Sequence, residues 1–366
     1  MTASRFVRAT IHRLLALLVI AASAEPTTAA ESAVIFMYHH VAEETPPSTS
    51  ITPARFASHL DYLEREGFMV LPLENVLESL SHDEPVPDKT VVITFDDGYS
   101  SVLATAAPLL ARRSWPFTVF VNTDAIDGGF GGYMSWQELR GLASAGATIG
   151  NHTVSHAHLL RQLEGESESD WRRRVEGEIT HAGERLSAEL GSAAIPVLAY
   201  PYGEYTAALK EIVAGLGLLA VGQHSGAVGP GSDWQALPRY PMATGFDALD
   251  EFALRARTRP LPARIVGPEL HIVPGGETRP ALRLELPAAG DFNRDAIACY
   301  ASGQGRMALT WIGSGQRQFE ISPLQALRPG RTKYNCTAPS ASEDGIYYWF
   351  SHLWLLRQPD GSWYSE

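Results

Sequence analysis

Cysteine is nearly missing from this chain. Only Cys299 and Cys336 occur in 366 residues, and neither has a CxxC neighbour. That excludes a cysteine-built metal cluster. The two leave one question open, a single disulfide inside the last quarter of the chain or two free buried thiols. Excess positive charge is missing too. The formal net charge is −12, which argues against a general nucleic-acid binder while leaving a neutral or cationic partner possible. Long apolar runs are absent after the first thirty residues. There, Arg5, Arg8 and Arg13 precede Leu14 to Ala22 (LLALLVIAA), and Ala22-Ser23-Ala24 or Thr28-Ala29-Ala30 offer small-residue cleavage sites. That is the pattern of a signal peptide over residues 1–30, and the run is short for a membrane span of about 30 Å. The chain is therefore expected to be exported, to the periplasm or the cell surface. No internal repeat and no long low-complexity tract occur.

Composition is that of a globular protein, 45% hydrophobic and 19% charged, so a core can be buried. The length suggests a large domain plus a smaller one. From Ser32 to Pro260, apolar runs alternate with helical patterns. Val34 to Tyr38, Phe68 to Leu71, Val91 to Phe95, Phe117 to Val121, Thr148-Ile149 and Val197 to Ala199 read as strands. Helices are expected from Thr52-Pro53 to Gly67, over Leu103 to Leu110, after the capping box Ser135/Glu138, and over Glu178 to Leu190. Such alternation predicts a mainly parallel α/β sheet, open or closed into a barrel, with active residues at the strand ends. After Arg264 the runs ALRLEL, RMALTWIG, QFEIS and GIYYWFSHLWLL predict a small antiparallel β domain resembling a sandwich. The expected domains are 31–262 and 263–366.

Two stretches carry chemistry. In ITFDDGYS, Asp96 and Asp97 follow an apolar strand directly. Adjacent carboxylates there are costly unless something offsets them, although DDG is also a common turn. In GNHTVSHAHL, His152 and His156 are four apart, so a helical segment would put both imidazoles on one face. His158 points elsewhere and is expected not to be a ligand. Two imidazoles and one carboxylate make a three-ligand metal site with an open position, which is a catalytic pattern. A dication also relieves the charge problem, and the other Asp is left as a base on water.

TFDDG followed by NHTVSH resembles the NodB-homology polysaccharide deacetylases, carbohydrate esterase family 4, over about Ala33 to Arg255. The resemblance implies a distorted parallel (β/α) barrel, with Asp96 as general base and one divalent metal, zinc or else nickel or cobalt, on Asp97, His152 and His156. The third family motif is normally Arg-x-Pro-Tyr-Gly. Here it reads Ala199-Tyr200-Pro201-Tyr202-Gly203, a form that resembles the branch acting on poly-β-1,6-N-acetylglucosamine in biofilms. The resemblance gives the Tyr202 backbone N–H a share in holding the oxyanion. The motif arginine that braces the base is missing. Arg239 is the candidate replacement, with Asp233 a possible member of the same group. The general acid is expected at His39, which follows the first strand, by the circularly permuted arrangement of that branch; His40 is its rival, and Leu270-His271 lacks the usual spacing. Tyr133, Trp136 and Tyr202 are candidates for a sugar groove, Trp136 more simply a packed residue.

The implied function is metal-dependent N-deacetylation of an amino-sugar polysaccharide, by a monomer that works beside exopolysaccharide export machinery. The other readings are a deacetylase of peptidoglycan or chitin-like oligomers and a carbohydrate-binding protein with a decayed site. The aromatics Tyr347, Tyr348, Trp349, Trp354 and Trp363 leave the β domain open as a glycan-binding module or a structural sandwich.

Overall fold

The structure, a computed structural model, describes residues 29–267 and 269–365, so the leader expected over 1–30 lies almost wholly outside the described residues. No helix among these is long and apolar enough to cross a membrane.

Six parallel strands form the main sheet: β1 (Ala33–Tyr38), β2 (Thr90–Phe95), β3 (Thr118–Val121), β4 (Thr148–Asn151), β5 (Ala194–Ala199) and β6 (Leu219–Val221), side by side in that order. Their near-continuous Val, Ile and Phe content suits a sheet covered on both sides. Outward residues such as Val34, Phe36, Val91, Ile93 and Val119 pack under the helices. Inward residues Ile35, Val92, Phe120, Val197, Ala199 and Val221 pack against one another. Each fully buried side chain of this kind contributes roughly 1.5–3 kcal/mol.

The sheet curls until one short segment joins its two edges. Leu237 bridges Val221 of β6, and β7 (Tyr240–Pro241) runs parallel to β1 with Tyr240 opposite Phe36. Leu237 faces the inner cluster. Side chains alternate along an extended segment, so Arg239 faces inward with it.

The helices lie close to expectation. α1 (Pro53–Arg65) is capped by Thr52, whose hydroxyl accepts from the Arg55 N–H. α2 (Trp136–Ser144) opens on the complete Ser135/Glu138 capping box. α3 (Glu168–Leu190) starts at Glu168 rather than Glu178, behind the N-cap Ser167, with Trp171, Val175, Ile179, Ala182 and Leu186 as its buried stripe. The stretch read as one helix over 103–110 is a wider π turn, Val102–Ala106, followed by Ala107–Ala111. α4 (Leu249–Ala256) closes the outer layer.

The C-terminal region is two facing, mainly antiparallel sheets. β8 (Leu282–Glu285), β9 (Ala298–Ala301), β10 (Ala308–Ile312), β11 (Gln318–Ser322), β12 (Gly330–Pro339) and β13 (Tyr347–Leu356) supply most of both. They enclose their own core, including Leu284, Phe319, Tyr334 and Trp354. Arg259–Pro260 already pairs with β13, so the connection enters this layer before residue 262. Cys299 and Cys336 sit directly opposite on β9 and β12 and form a disulfide.

Candidate active site

β2 ends at Phe95, and the chain turns immediately through Asp96 and Asp97. Val92, Thr94 and Asp96 share the inward side, which puts the Asp96 carboxylate inside the barrel, fully buried. Asp97 escapes that direction because it adopts a left-handed backbone, φ 73°. Gly98 follows at φ 80°, and a Cβ there would come within 2.8 Å of Val121 Cγ1. Only glycine fits both the conformation and the space. The adjacent carboxylates therefore point to different places.

Asp96 meets Arg239. Its Oδ1 accepts from Nη1 and its Oδ2 from Nη2, each at 2.7 Å. The guanidinium is itself fully buried. Nη1 also donates to Thr94 Oγ1, and Nε donates to the Gly222 carbonyl at 2.9 Å. A buried pair is tolerable only when both partners are held in this way. Burial alone would push the Asp96 carboxyl up, but the Arg239 charge and its hydrogen bonds outweigh it and keep the group below its ordinary range. Ala199, where the motif arginine was missing, leaves the inner wall small, and Arg239 enters from the closing segment instead. Asp233 is not part of this group. It is solvent-facing and pairs with Lys210 Nζ at 2.6 Å.

Asp97 meets the two histidines. Its Oδ1 lies 3.2 Å from His152 Nε2 and 3.3 Å from His156 Nε2. Despite these distances, neither Asp97 Oδ1 nor His152 Nε2 has a hydrogen-bond partner of acceptable geometry, although both atoms are buried. Three ligand atoms thus converge on one point without satisfying one another, all within 4.8 Å. Orphaned buried donors and acceptors of this kind are costly. The residues fit a divalent cation: one carboxylate oxygen, two imidazole nitrogens and room for further ligands. His152 is oriented for that duty. Its Nδ1–H donates to the Ala199 carbonyl at 2.7 Å, which fixes Nε2 as the free lone pair.

The histidine segment is not a helix. After β4 the chain runs as an irregular loop, with Thr153 at φ 69° and His156 at φ 57°. The four-residue spacing works for another reason. Asn151 caps the loop by accepting from the Thr153 N–H, and Thr153 Oγ1 accepts from the His156 N–H, folding His156 back toward His152. Their ring centroids are 4.8 Å apart.

The Ala199–Gly203 motif forms the opposite wall. Tyr202 also has a left-handed backbone, φ 59°. Its ring meets His156 edge-on at 4.6 Å and stacks on His158 at 3.8 Å. His158, expected not to be a ligand, stands in this wall, and its Nδ1 donates to Glu204 at 2.9 Å. Among the described residues, four of the eight non-glycine residues with positive φ, Asp97, Thr153, His156 and Tyr202, lie in this site. Strain so concentrated marks functional centres.

His39 follows Tyr38, the last residue of β1, whose carbonyl accepts from the Asp96 N–H at 2.9 Å, so His39 stands at the same strand-end rim as the aspartates. His40 is occupied differently. It stacks on Tyr99 at 3.5 Å, and burial lowers its pKa. His271 is buried elsewhere, with Nδ1 on the Leu353 carbonyl. Tyr133 lies 4.9 Å from Tyr99, ring to ring. Trp136 donates to Asp127 at 2.6 Å under the Arg185 guanidinium, which makes it a packed residue. Sequence reasoning missed Glu204, Arg331 and Tyr364. Glu204 directly follows the motif and is almost fully buried, which no local pattern signals.

A polysaccharide deacetylase family profile matches residues 83–221. YxkH of Bacillus subtilis is 28% identical over 112 residues, 31% of this chain and 39% of that one. The poly-beta-1,6-N-acetyl-D-glucosamine N-deacetylase of Escherichia coli K12 is 23% identical over 239 residues, 56% of this chain and 35% of that one. This chain thus spans well under half the length of these two curated relatives. IcaB from Ammonifex degensii superimposes with a TM-score of 0.55 at 25% identity, covering 62% of this chain and 97% of that structure.

Proposed function

We propose that this chain, whose residues 83–221 match the polysaccharide deacetylase profile, removes N-acetyl groups from an amino-sugar polysaccharide with the help of one divalent cation. The observation that carries the proposal is the division of labour in the aspartate pair. Asp97 faces two imidazoles with its ligand oxygen unsatisfied, whereas both oxygens of Asp96 are held by a buried arginine. Asp97, His152 and His156 would hold the cation, which would supply Lewis-acid chemistry at the amide carbonyl and the attacking water. The donor set suits zinc, and equally nickel or cobalt.

The chain's own residues do the rest. Asp96, ionised by Arg239, still has free lone pairs and accepts the proton of the attacking water. Arg239 stops the carboxylate from rotating. The Tyr202 N–H, on a backbone fixed by its turn, donates to the oxygen that gains charge. His39 delivers a proton to the departing amine nitrogen, so the products are acetate and a free amino sugar. Acid–base steps of this kind contribute about 10²–10⁴-fold each.

The polymer we propose is poly-β-1,6-N-acetylglucosamine. The AYPYG form of the third motif and the named Escherichia coli relative support that choice. The disulfide between Cys299 and Cys336 supports action outside the cytoplasm, where such bonds persist. Acetate release from defined β-1,6- and β-1,4-linked N-acetylglucosamine oligomers, with and without chelator, tests the reading. Chelator-sensitive release from the β-1,6 series is expected. Preference for the β-1,4 series would move the substrate to chitin-like or peptidoglycan chains, and no release from either would leave a carbohydrate binder.

A further inference from the structure

The outer face of the C-terminal layer is turned toward the active-site loops. Along β12, Thr332, Tyr334 and Cys336 point away from solvent, the latter two into the core of the layer, while Arg331, Lys333 and Asn335 alternate on the other side. Those alternating side chains meet the two loops that follow β5 and β6. Lys333 Nζ donates to the Gln223 carbonyl. Arg331 Nη1 donates to Glu204 Oε1 at 3.3 Å, and its guanidinium lies over the Tyr202 ring at 5.6 Å. Ser351 Oγ lies 2.5 Å from the Ser225 carbonyl, to which its one hydroxyl hydrogen can be donated, and 2.6 Å from the Asn335 side-chain amide. From the end of the chain, Tyr364 Oη donates to Glu204 Oε1 as well.

These contacts bear on catalytic groups at one remove. Glu204 carries His158, and His158 is the surface on which Tyr202 stacks. Gln223 lies against Gly203, whose missing Cβ would come within 2.5 Å of Gln223 Cβ. The neighbouring Gly222 carbonyl is the acceptor that anchors Arg239 Nε. One loop therefore presents Tyr202 and the other braces the arginine on Asp96, and both are tied to the β layer. An apolar contact backs the polar one: Leu353 and Leu355 of β13 pack with Tyr200, Tyr205 and Leu209. The aromatics that suggested a glycan surface are largely spent here. Trp354 is inside the layer, and Trp349 packs edge-on against Tyr240 of the closing segment.

We propose that the C-terminal β layer is a working part of the catalytic site, in which Arg331, Lys333 and Tyr364 are positioning residues for the loops 200–205 and 222–225. The proposal rests on the deacetylase reading for its kinetic consequence and on the docking geometry for its mechanical one. Loop misplacement by a fraction of an ångström weakens an oxyanion donor and a braced base more than it weakens binding.

The test uses the full chain with bound metal. Lys333→Met, Tyr364→Phe and Arg331→Ala are compared with wild type and with Glu320→Gln, a strand-surface control paired to Arg283 far from the loops. The expected result is a fall in kcat on the order of ten- to a hundredfold with KM and metal content unchanged, partly restored in Arg331→Lys. Hydrogen exchange of the amides in 200–205 and 222–225 should quicken in the same variants and not in Glu320→Gln. Wild-type kcat together with wild-type exchange in the three variants would overturn the proposal. So would a rise in KM alone, which would make the layer a binding surface. A wild-type chain that releases no acetate would instead contradict the deacetylase reading, and the exchange measurement would then decide the positioning role by itself.

Discussion

Asp96 and Asp97 are chemically identical neighbours with opposite assignments, and one backbone angle separates them. The left-handed turn at Asp97 sends its carboxylate to the histidines while Asp96 stays on the inward side of β2. Gly98→Ala should therefore be costly: its Cβ would meet Val121 and the residue would need φ near 80°. Urea denaturation should show a loss of about 1–3 kcal/mol. Arg239→Lys is the sharper probe. A lysine keeps the charge but loses the two parallel hydrogen bonds and the anchor on Gly222. Turnover should fall by a factor on the order of a hundred, with the metal still bound, and a variant with wild-type kcat would remove Arg239 from the mechanism. Much at this scale was legible in the sequence. The aspartates, the histidine pair and even the substitute arginine could be chosen from it, because strand ends and motif gaps leave local marks. Asp233 could not be excluded from sequence, since nothing local reveals that Lys210 draws it toward solvent. Glu204 could not be found, because its partners lie on Arg161, Arg331 and Tyr364, far along the chain.

Among the elements, the strands were legible because buried parallel strands leave runs of Val, Ile and Phe. The loop after β4 was not. A four-residue histidine spacing fits a helix face, and only the hydrogen bonds of Asn151 and Thr153 show how a loop reaches the same result. The start of α3 was hidden by its charged first turns, which mask a stripe of buried residues three or four apart. The packing of α1 carries a measurable pH dependence. His59 lies between Tyr38 and Phe252, accepting from Tyr38 Oη and donating to the Asp247 carbonyl. Burial pushes its pKa down to about 4. The unfolded chain, with an ordinary imidazole, binds more protons than the folded one between about pH 6.5 and pH 4. This contribution is complete above that window and is lost as pH falls through it, up to about 3 kcal/mol. Denaturation midpoints from pH 7 down to pH 4 should show the decline, and His59→Gln should flatten it. An unchanged slope in that variant would contradict the assignment.

Among the described residues, the barrel and the C-terminal layer each keep their own core, and they meet where Leu353 and Leu355 pack with Tyr200, Tyr205 and Leu209. The barrel closes through a segment of five residues, 237–241, and Arg239 sits at its centre, so closure of the fold also places the arginine on Asp96, the proposed base. Sequence alternation announced both layers but said nothing of how they dock, since docking depends on which face of β12 turns inward. The disulfide stiffens that face. It ties β9 to β12 over a separation of 37 residues, a closure worth about 4 kcal/mol by chain entropy. Replacing both cysteines by alanine should lower the stability of the C-terminal sheets by about 2–5 kcal/mol, read as an earlier unfolding of Trp354 fluorescence. No shift under oxidising conditions would mean the bond contributes nothing in solution. The central claim is that a metal-holding aspartate and a base aspartate stand side by side. Its most direct measurement is turnover per bound metal in Asp96→Asn. The account predicts wild-type metal stoichiometry with acetate release reduced by a factor on the order of a thousand. Loss of the metal, or near wild-type release from the fully loaded variant, would contradict it.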